Sequence, residues 1–299
     1  MSAAQPPRSA AALHGTPARE PRGLLPAWPA VAAVVAHPDD ESFGLGAIID
    51  RMTSAGATMH VLCYTHGEAS TLNQTGADLL RQRARELRQA GAALGVSTVA
   101  LLDYPDGQLA AVPAGELAAH VTGLAARHHP GGLLVFDDTG VTGHPDHRAA
   151  TAAAVLAAAP LSLPVLAWAL PADIASRLRA ETGQPFAGQP PRRLDFAIRV
   201  SRARQRHAAL LHASQVSPGA PLWRRLELQG DIEHLRWLVP PPAGARAGQS
   251  GPSRPEPTVA RVRLMGRFTV LIIAVAGYTL GRSLPGLAWQ RSPADPYTP

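Results

Sequence analysis

Apolar residues fall along this chain in two rhythms. Short unbroken runs (Val31-Ala32-Ala33-Val34-Val35, Val61-Leu62-Cys63-Tyr64, Val99-Ala100-Leu101-Leu102, Leu133-Leu134-Val135-Phe136) alternate with longer stretches whose apolar positions recur at helical spacing. A run of four to six residues with no polar face marks a strand covered on both sides, and such strands alternating with helices build βαβ units. The pattern predicts strands at 31–36, 59–64, 99–102, 133–136 and 165–169, separated by helices at 44–54, 77–94, 114–127 and 147–158. A strand at 195–200 and helices at 201–212 and 222–237 follow. This order predicts an α/β, Rossmann-like fold: a mostly parallel sheet with helices on both faces and a ligand crevice at the carboxyl ends of the strands.

Outside that alternation the pattern changes. Residues 1–29 are rich in Pro, Ala and Arg without apolar periodicity and contain no apolar core of a secretory signal, so they read as a disordered leader. Residues 30–239 form the folded domain, 240–258 a Pro/Gly-rich linker, and 259–299 a short hydrophobic tail. Within the tail, 268–280 is apolar and bracketed by Arg267 and Arg282, and Leu264-Met265 extends the segment to 264–280. It is shorter than the roughly 20 residues of an ordinary spanning helix. With its arginines snorkelling it reads as a membrane anchor, and otherwise as an element docked on the domain or a partner. The expected location is the cytoplasm, with a tether to the inner face of the membrane if the anchor inserts.

Composition narrows the class. A chain of 299 residues that is 46% hydrophobic can bury one full α/β domain with extensions. All 28 basic side chains are Arg, which together with the abundance of Ala, Gly and Pro reads as a compositional bias; the net charge of +6 therefore does not point to nucleic acid, and no basic-aromatic interleaving supports it. The single cysteine, Cys63, sits inside an apolar run and reads as an inert core thiol.

Chemistry concentrates in two turns. Ala36-His37-Pro38-Asp39-Asp40-Glu41 follows the first apolar run, and Gly143-His144-Pro145-Asp146-His147 follows the fourth. So many titratable groups in one tight turn are costly to bury unless a metal or counter-charge compensates them. Each turn lies at the end of a predicted parallel strand, so the two can converge on one site. Imidazole and carboxylate together suit zinc, three ligands can be drawn from the pair of turns, and a fourth position would stay open for water. Read singly, each His-Pro-Asp is also an acceptable helix start, with a cap and an early proline. Glu68 and Asp106 lie on other turns after apolar runs and are candidates to face the same crevice and bind a substrate. Arg81, Arg85 and Arg88 recur at helical spacing, and of these Arg85 is the candidate to reach a substrate.

The two motifs in this order, with Thr65-His66-Gly67-Glu68-Ala69-Ser70, Tyr104-Pro105-Asp106-Gly107 and a late His212-Ala213-Ser214-Gln215, resemble the LmbE/PIG-L superfamily of zinc-dependent N-deacetylases. The resemblance makes 30–239 the catalytic domain. It implies His37, Asp40 and His147 as metal ligands and Asp39 as the general base toward the metal-activated water. It implies His144 as the group that stabilises the oxyanion or protonates the leaving amine, with Asp146 orienting a nearby imidazole. The implied cofactor is Zn2+, with Fe2+ accepted by the same donor set. The implied substrate is a small N-acylated amino-sugar conjugate. An amidase of thiol conjugates and a catalytically silent sugar-binding module are the alternatives. Thr142, counted with the substrate-binding candidates, departs from the pattern: mycothiol-pathway members carry there a Tyr that assists the oxyanion, and Thr is too short for that part.

Overall fold

The computed structural model describes residues 21–72 and 78–242. The expected leader up to residue 20, most of the linker, the tail with its 264–280 segment, and most of the loop 70–76 lie outside the described residues.

Five strands run parallel: β1 (Ala30–Val35), β2 (Thr58–Thr65), β3 (Val96–Tyr104), β4 (Leu133–Phe136) and β5 (Val165–Trp168). Two more, β6 (Phe196–Arg199) and β7 (Ile232–Val239), are antiparallel, and β7 pairs with both β5 and β6. The order across the seven-stranded sheet is β3-β2-β1-β4-β5-β7-β6. Strands β1 and β4 are buried along nearly their whole length, as their unbroken apolar runs require. From β1 the chain proceeds outward through β2 and β3, then returns to add β4 on the other side. The gap between β1 and β4 is therefore the topological switch point, where ligands bind in such sheets. Both motif turns leave the sheet there.

The helices are α1 (Asp40–Phe43), α2 (Gly46–Ser54), α3 (Leu79–Ala93), α4 (Ala114–His128), α5 (Gly140–Gly143), α6 (Pro145–Leu161), α7 (Ala172–Thr182), α8 (Ala203–Leu211) and α9 (Pro221–Gln229). Helix α6 shows why the second motif opens as it does. His144 in extended conformation caps it by accepting the N–H of Asp146, Pro145 takes the first turn where no donor is needed, and the Ala-rich continuation has the highest helix propensity. In α3, Arg83, Ala84, Glu86, Leu87, Ala90 and Gly91 are buried, and Asp78 caps the start.

Two expectations are corrected. The helix predicted over 222–237 is α9 followed by strand β7. Gly230, at φ +57, ends the helix, and Ile232-Glu233-His234-Leu235-Arg236-Trp237 continues as strand between β5 and β6. The stretch 171–191, to which the apolar pattern assigns no element, contains α7, which starts after Pro171 and stops at the left-handed Gly183 while burying Ile174, Ala175 and Leu178.

Candidate metal centre

The first motif turns sharply at Asp39, which adopts φ +120 and ψ −26, a backbone region costly for a residue with a β-carbon. That kink sends Asp39 and Asp40 in different directions. Asp40 turns back under the strand end, where Oδ2 accepts the N–H of Ala36 at 3.1 Å and of His37 at 3.0 Å. Its carboxylate also faces the two histidines: Oδ1 lies 3.1 Å from His147 Nε2, and Oδ2 lies 3.6 Å from His37 Nδ1. The two imidazoles approach each other at 3.2 Å, Nδ1 of His37 to Nε2 of His147.

The far side of each ring decides which nitrogen carries the proton. His147 Nδ1 donates to the Gly140 carbonyl at 3.0 Å. His37 Nε2 donates to Asp106 Oδ1 at 3.0 Å and Asp146 Oδ2 at 3.3 Å. In these tautomers the inner nitrogens of both rings present lone pairs toward each other and toward a carboxylate. With both rings neutral, two imidazole nitrogens and a carboxylate converge as acceptors, an arrangement that a bound cation would complete; without one, the carboxylates favour an extra proton on the rings. Ligand atoms held tetrahedrally at about 2.0–2.1 Å from zinc sit roughly 3.3–3.4 Å apart. The two imidazole nitrogens, 3.2 Å apart, come close to that value, and Asp40 meets them with different oxygens, Oδ1 at 3.1 Å from His147 and Oδ2 at 3.6 Å from His37. The residues present fit a catalytic-type site of two imidazoles and one carboxylate. Two overlapping sets, His37 with His144 and His147, and His37 with Asp106 and Asp146, each bring one ligand atom per residue within 4.8 Å of the others. The second set uses the outward Nε2 of His37, and His144 already spends Nδ1 on the Asp146 N–H.

The electrostatics follow from burial working against the neighbours. Burial disfavours the charged form of both His37 and Asp40, yet Asp106, Asp146 and Asp40 together hold His37 well above its usual value, and His147 and His37 hold Asp40 well below the usual carboxylate range. Asp39 is the exception. Burial pushes its carboxyl up to about 6 despite the guanidinium of Arg83, with Asp40 adding to the rise.

Arg83 is the residue that sequence reasoning missed. It is 3% exposed, its Nη2 donates to Asp39 Oδ2 at 3.0 Å and to the Pro38 carbonyl, and its Nη1 donates to the Gly67 carbonyl. Gly67 is required beneath it: a β-carbon there would fall 1.9 Å from Nη1, and the backbone sits at φ +66. Arg85, the expected candidate, lies on the exposed face of α3, about 200° round the helix from Arg83. The signal was a cation on the apolar stripe of Arg83, Leu87 and Ala90.

The other candidates are placed as follows. His144 stands edge-on to His37 with ring centroids 4.8 Å apart, and 4.9 Å from His147. Burial and the two neighbouring histidines lower its pKa, so its neutral ring, with Nδ1 occupied as an acceptor, carries its proton on Nε2. Asp146 is fully buried and accepts the N–H groups of Gly107 at 2.7 Å and Leu109 at 3.0 Å, fastening the turn after β3 to the start of α6. Asp106 Oδ2 accepts the N–H of Ala69 at 3.0 Å, and Glu68 Oε1 accepts that of Asp106 at 2.9 Å, so these two carboxylates latch the turns after β2 and β3 together. Thr142 borders an apolar recess beside Asp40 and His147. Behind the first motif, Glu41 and His212 form a fully buried pair at 2.7 Å, and Glu41 Oε2 accepts the Asp39 N–H at 3.0 Å. No helix among the described residues is long and apolar enough to cross a membrane.

Comparison with known proteins agrees with this geometry. Residues 32–159 match the family profile described as PIG-L, GlcNAc-PI de-N-acetylase. The chain is 33% identical over 122 residues to a probable N-acetylglucosaminyl-phosphatidylinositol de-N-acetylase of Schizosaccharomyces pombe, a match covering 39% of this chain and 46% of that protein. It is 30% identical over 246 residues to a 1D-myo-inositol 2-acetamido-2-deoxy-alpha-D-glucopyranoside deacetylase of Mycolicibacterium gilvum, covering 68% of this chain and 86% of the relative. The chain thus spans about half the length of the former and most of the latter. Among solved structures, a deacetylase of teicoplanin biosynthesis superposes with a TM-score of 0.54 at 21% identity, covering 70% of this chain and 96% of that one. A 4-carboxy-2-hydroxymuconate hydratase superposes equally well, at 0.54 with 19% identity over 71% of this chain and 96% of the hydratase, so the fold by itself does not choose a reaction. The ordered motifs, the profile and the near full-length relative together show that this chain belongs to the PIG-L family.

Proposed function

We propose that the chain is a zinc-dependent hydrolase that removes an N-acyl group from a small amino sugar or its conjugate. The observation that carries this reading is the convergence of His37 Nδ1, His147 Nε2 and the Asp40 carboxylate, whose two oxygens face one imidazole each at 3.1 to 3.6 Å. The names of the relatives, all deacetylases of N-acetylated sugars, supply the substrate class.

His37, Asp40 and His147 would hold the metal, which when bound polarises the acyl carbonyl and acidifies water. Asp39 is the base. Its pKa near 6 leaves it ionised yet basic enough at neutral pH, and Arg83 ties down Oδ2 so that Oδ1 takes the proton of the attacking water. His144 donates from Nε2 to the carbonyl oxygen as negative charge develops there. When the tetrahedral adduct collapses, the C–N bond breaks and Asp39 passes its proton to the departing amine, which restores the carboxylate. Asp106 and Asp146 position His37, and the Glu41–His212 pair holds the backbone of Asp39.

The test is metal content and amine release on the full chain. About one zinc or iron per chain, with release of glucosamine from N-acetylglucosamine conjugates abolished by a chelator and by Asp39→Asn, supports the reading. Which of the two metals restores turnover to the stripped protein settles the ion. A folded protein that binds neither metal at micromolar concentration would overturn it.

A further inference from the structure

An apolar recess of about 220 Å3 opens directly beside the metal ligands Asp40 and His147. Its walls are Phe43, Phe136, Val141, Trp168, Phe186 and Leu222, drawn from α1, β4, α5, β5, the segment after α7, and α9. Five of the six are at most 7% exposed, so the walls of this solvent-open recess are themselves anchored in the packed core. The polar groups of the centre lie elsewhere: Asp39, Arg83, His144, Glu68 and Asp106 do not border it. Arg225, its one cation, stacks on the Trp168 ring at 4.8 Å and donates to the Phe43 carbonyl and to Gln229 Oε1 at 2.7 Å.

A carbonyl carbon set at the metal carries two substituents, the amine-bearing sugar and the acyl chain. A sugar needs hydrogen bonds to displace its water, and beside Thr142, Gln184 and a Gln215 already bonded to Ser70 and Ser214, the lining is dominated by four aromatic rings, a valine and a leucine. The acyl chain needs none. An apolar cavity of about 150 Å3 is enough to hold a benzene ring. The recess is larger than that, whereas an acetyl group would fill it with a single methyl and leave most of the wall without contacts.

We propose, resting on the hydrolase reading above, that this recess is an acyl-chain subsite that gives the enzyme a preference for neutral N-acyl groups of about four to six carbons over acetyl. Each methylene added within the recess raises kcat/KM by about fourfold, the value of burying one CH2. Ala220, the extended residue before α9, lines the recess, and a larger side chain there would take up part of its volume.

The experiment is a chain-length series on the metal-loaded full chain, with N-acetyl-, N-propionyl-, N-butyryl-, N-hexanoyl- and N-succinylglucosamine, following free amine. The same preparation is titrated with acetate, hexanoate and succinate, the products of hydrolysis. Supporting results are a rise in kcat/KM from acetyl to hexanoyl and a tighter grip on hexanoate than on acetate, both lost in Ala220→Leu while acetyl turnover stays unchanged. A profile that falls beyond acetyl, or a preference for succinyl over butyryl, overturns the neutral acyl subsite. If no N-acylglucosamine is hydrolysed, the amino-sugar reading fails, and the carboxylate titration still decides the recess: equal affinity for acetate and hexanoate overturns it, and a hexanoate preference erased by Ala220→Leu supports it.

Discussion

Replacing Asp146 by Asn should weaken zinc binding without unfolding the protein. Asp146 is fully buried and touches three donors: the Gly107 N–H and His37 Nε2 on one oxygen, and the Leu109 N–H on the other. An amide has one acceptor oxygen and one donor nitrogen. Turned one way, its NH2 meets the Leu109 N–H. Turned the other way, it meets both the Gly107 N–H and the imidazole of His37, which then escapes only by moving its proton to Nδ1, the atom that faces the metal. A hydrogen bond to a charged group contributes about 1.5–3 kcal/mol. Loss of an outer carboxylate behind a ligating histidine typically lowers metal affinity by about 10- to 100-fold, or roughly 1.4–2.7 kcal/mol. The two estimates agree. Asp106→Asn should cost less, at the tenfold end, because Asp106 shares the same ring nitrogen at 3.0 Å but has a single backbone donor at Ala69. Since both carboxylates serve one N–H, the double variant should cost more than the sum of the singles. Zinc affinity is read by competition with a chromophoric chelator on the full chain, with circular dichroism to confirm that the apo variants are folded. A change below about threefold in folded Asp146→Asn would refute the assignment of His37 Nδ1 as the inward ligand atom.

Four further outcomes are expected. Gly67→Ala should lower stability by about 1–2 kcal/mol in urea, because its left-handed backbone is kept while a β-carbon is added; it should also cut kcat by displacing Arg83 from Asp39, with zinc affinity unchanged. His60, buried against the His128 ring at 3.8 Å, has its pKa lowered to about 4 by that burial and then by His128. The unfolded chain takes up this proton near pH 6.5 and the folded one does not, so this contribution to stability is complete above pH 6.5 and lost as the pH falls toward 4. It amounts to about 3 kcal/mol, and His60→Leu should flatten the slope of unfolding free energy across that window. Glu233→Gln removes a fully buried carboxylate that accepts from Trp168 Nε1 at 2.6 Å and Gln229 Nε2 at 2.8 Å and pairs with Arg202; the stranded cation should cost about 3–5 kcal/mol in a denaturant titration. Asp39→Gly should be more stable than Asp39→Ala by about 1–2 kcal/mol, the reverse of the usual order, because both lose the Arg83 pair and only Ala keeps the strain of φ +120.

The parallel half of the fold was legible because its strands have no polar face, and β4 and α4 lie within a residue of where the periodicity places them. The antiparallel edge was not. In 222–237 apolar residues fall at spacings that suit a helix and a strand alike, and the break rests on Gly230-Asp231, a turn signal that an apolar count passes over. Helix α7 was hidden by the prolines and glycines flanking it, although a proline before the start and a glycine past the end are helix signals too. At the centre, the two turns carry their chemistry in contiguous residues, and parallel strands ending at a switch point leave them nowhere else to meet. Arg83 reaches Asp39 from 44 positions away, through a carbonyl cradle made possible by Gly67. No local pattern encodes a contact of that kind.

The same contrast explains where the centre stores its cost. Both motif turns place a residue with a β-carbon at positive φ, Asp39 at +120 and Val141 at +62, on either side of the switch point. Each costs of order 1–3 kcal/mol and persists only where its surroundings over-determine it. For Asp39 those surroundings are the Glu41 carboxylate on its N–H and the Arg83 guanidinium on its side chain, both anchored in buried pairs or carbonyls. For Val141 they are the Thr139 hydroxyl that accepts its N–H and the Ala187 N–H that donates to its carbonyl at 2.6 Å, with Gly140 beside it accepting from His147. The strain sits one residue from Asp40 on one side and one residue from the Gly140 carbonyl that fixes the His147 tautomer on the other. A relaxed backbone at either place would turn Asp40 or His147 away from the shared centre. The buried acid–base pair of Glu41 and His212, which lies behind the first motif, is therefore part of what keeps the Asp40 carboxylate and the two imidazoles within 3.1 to 3.6 Å of one another.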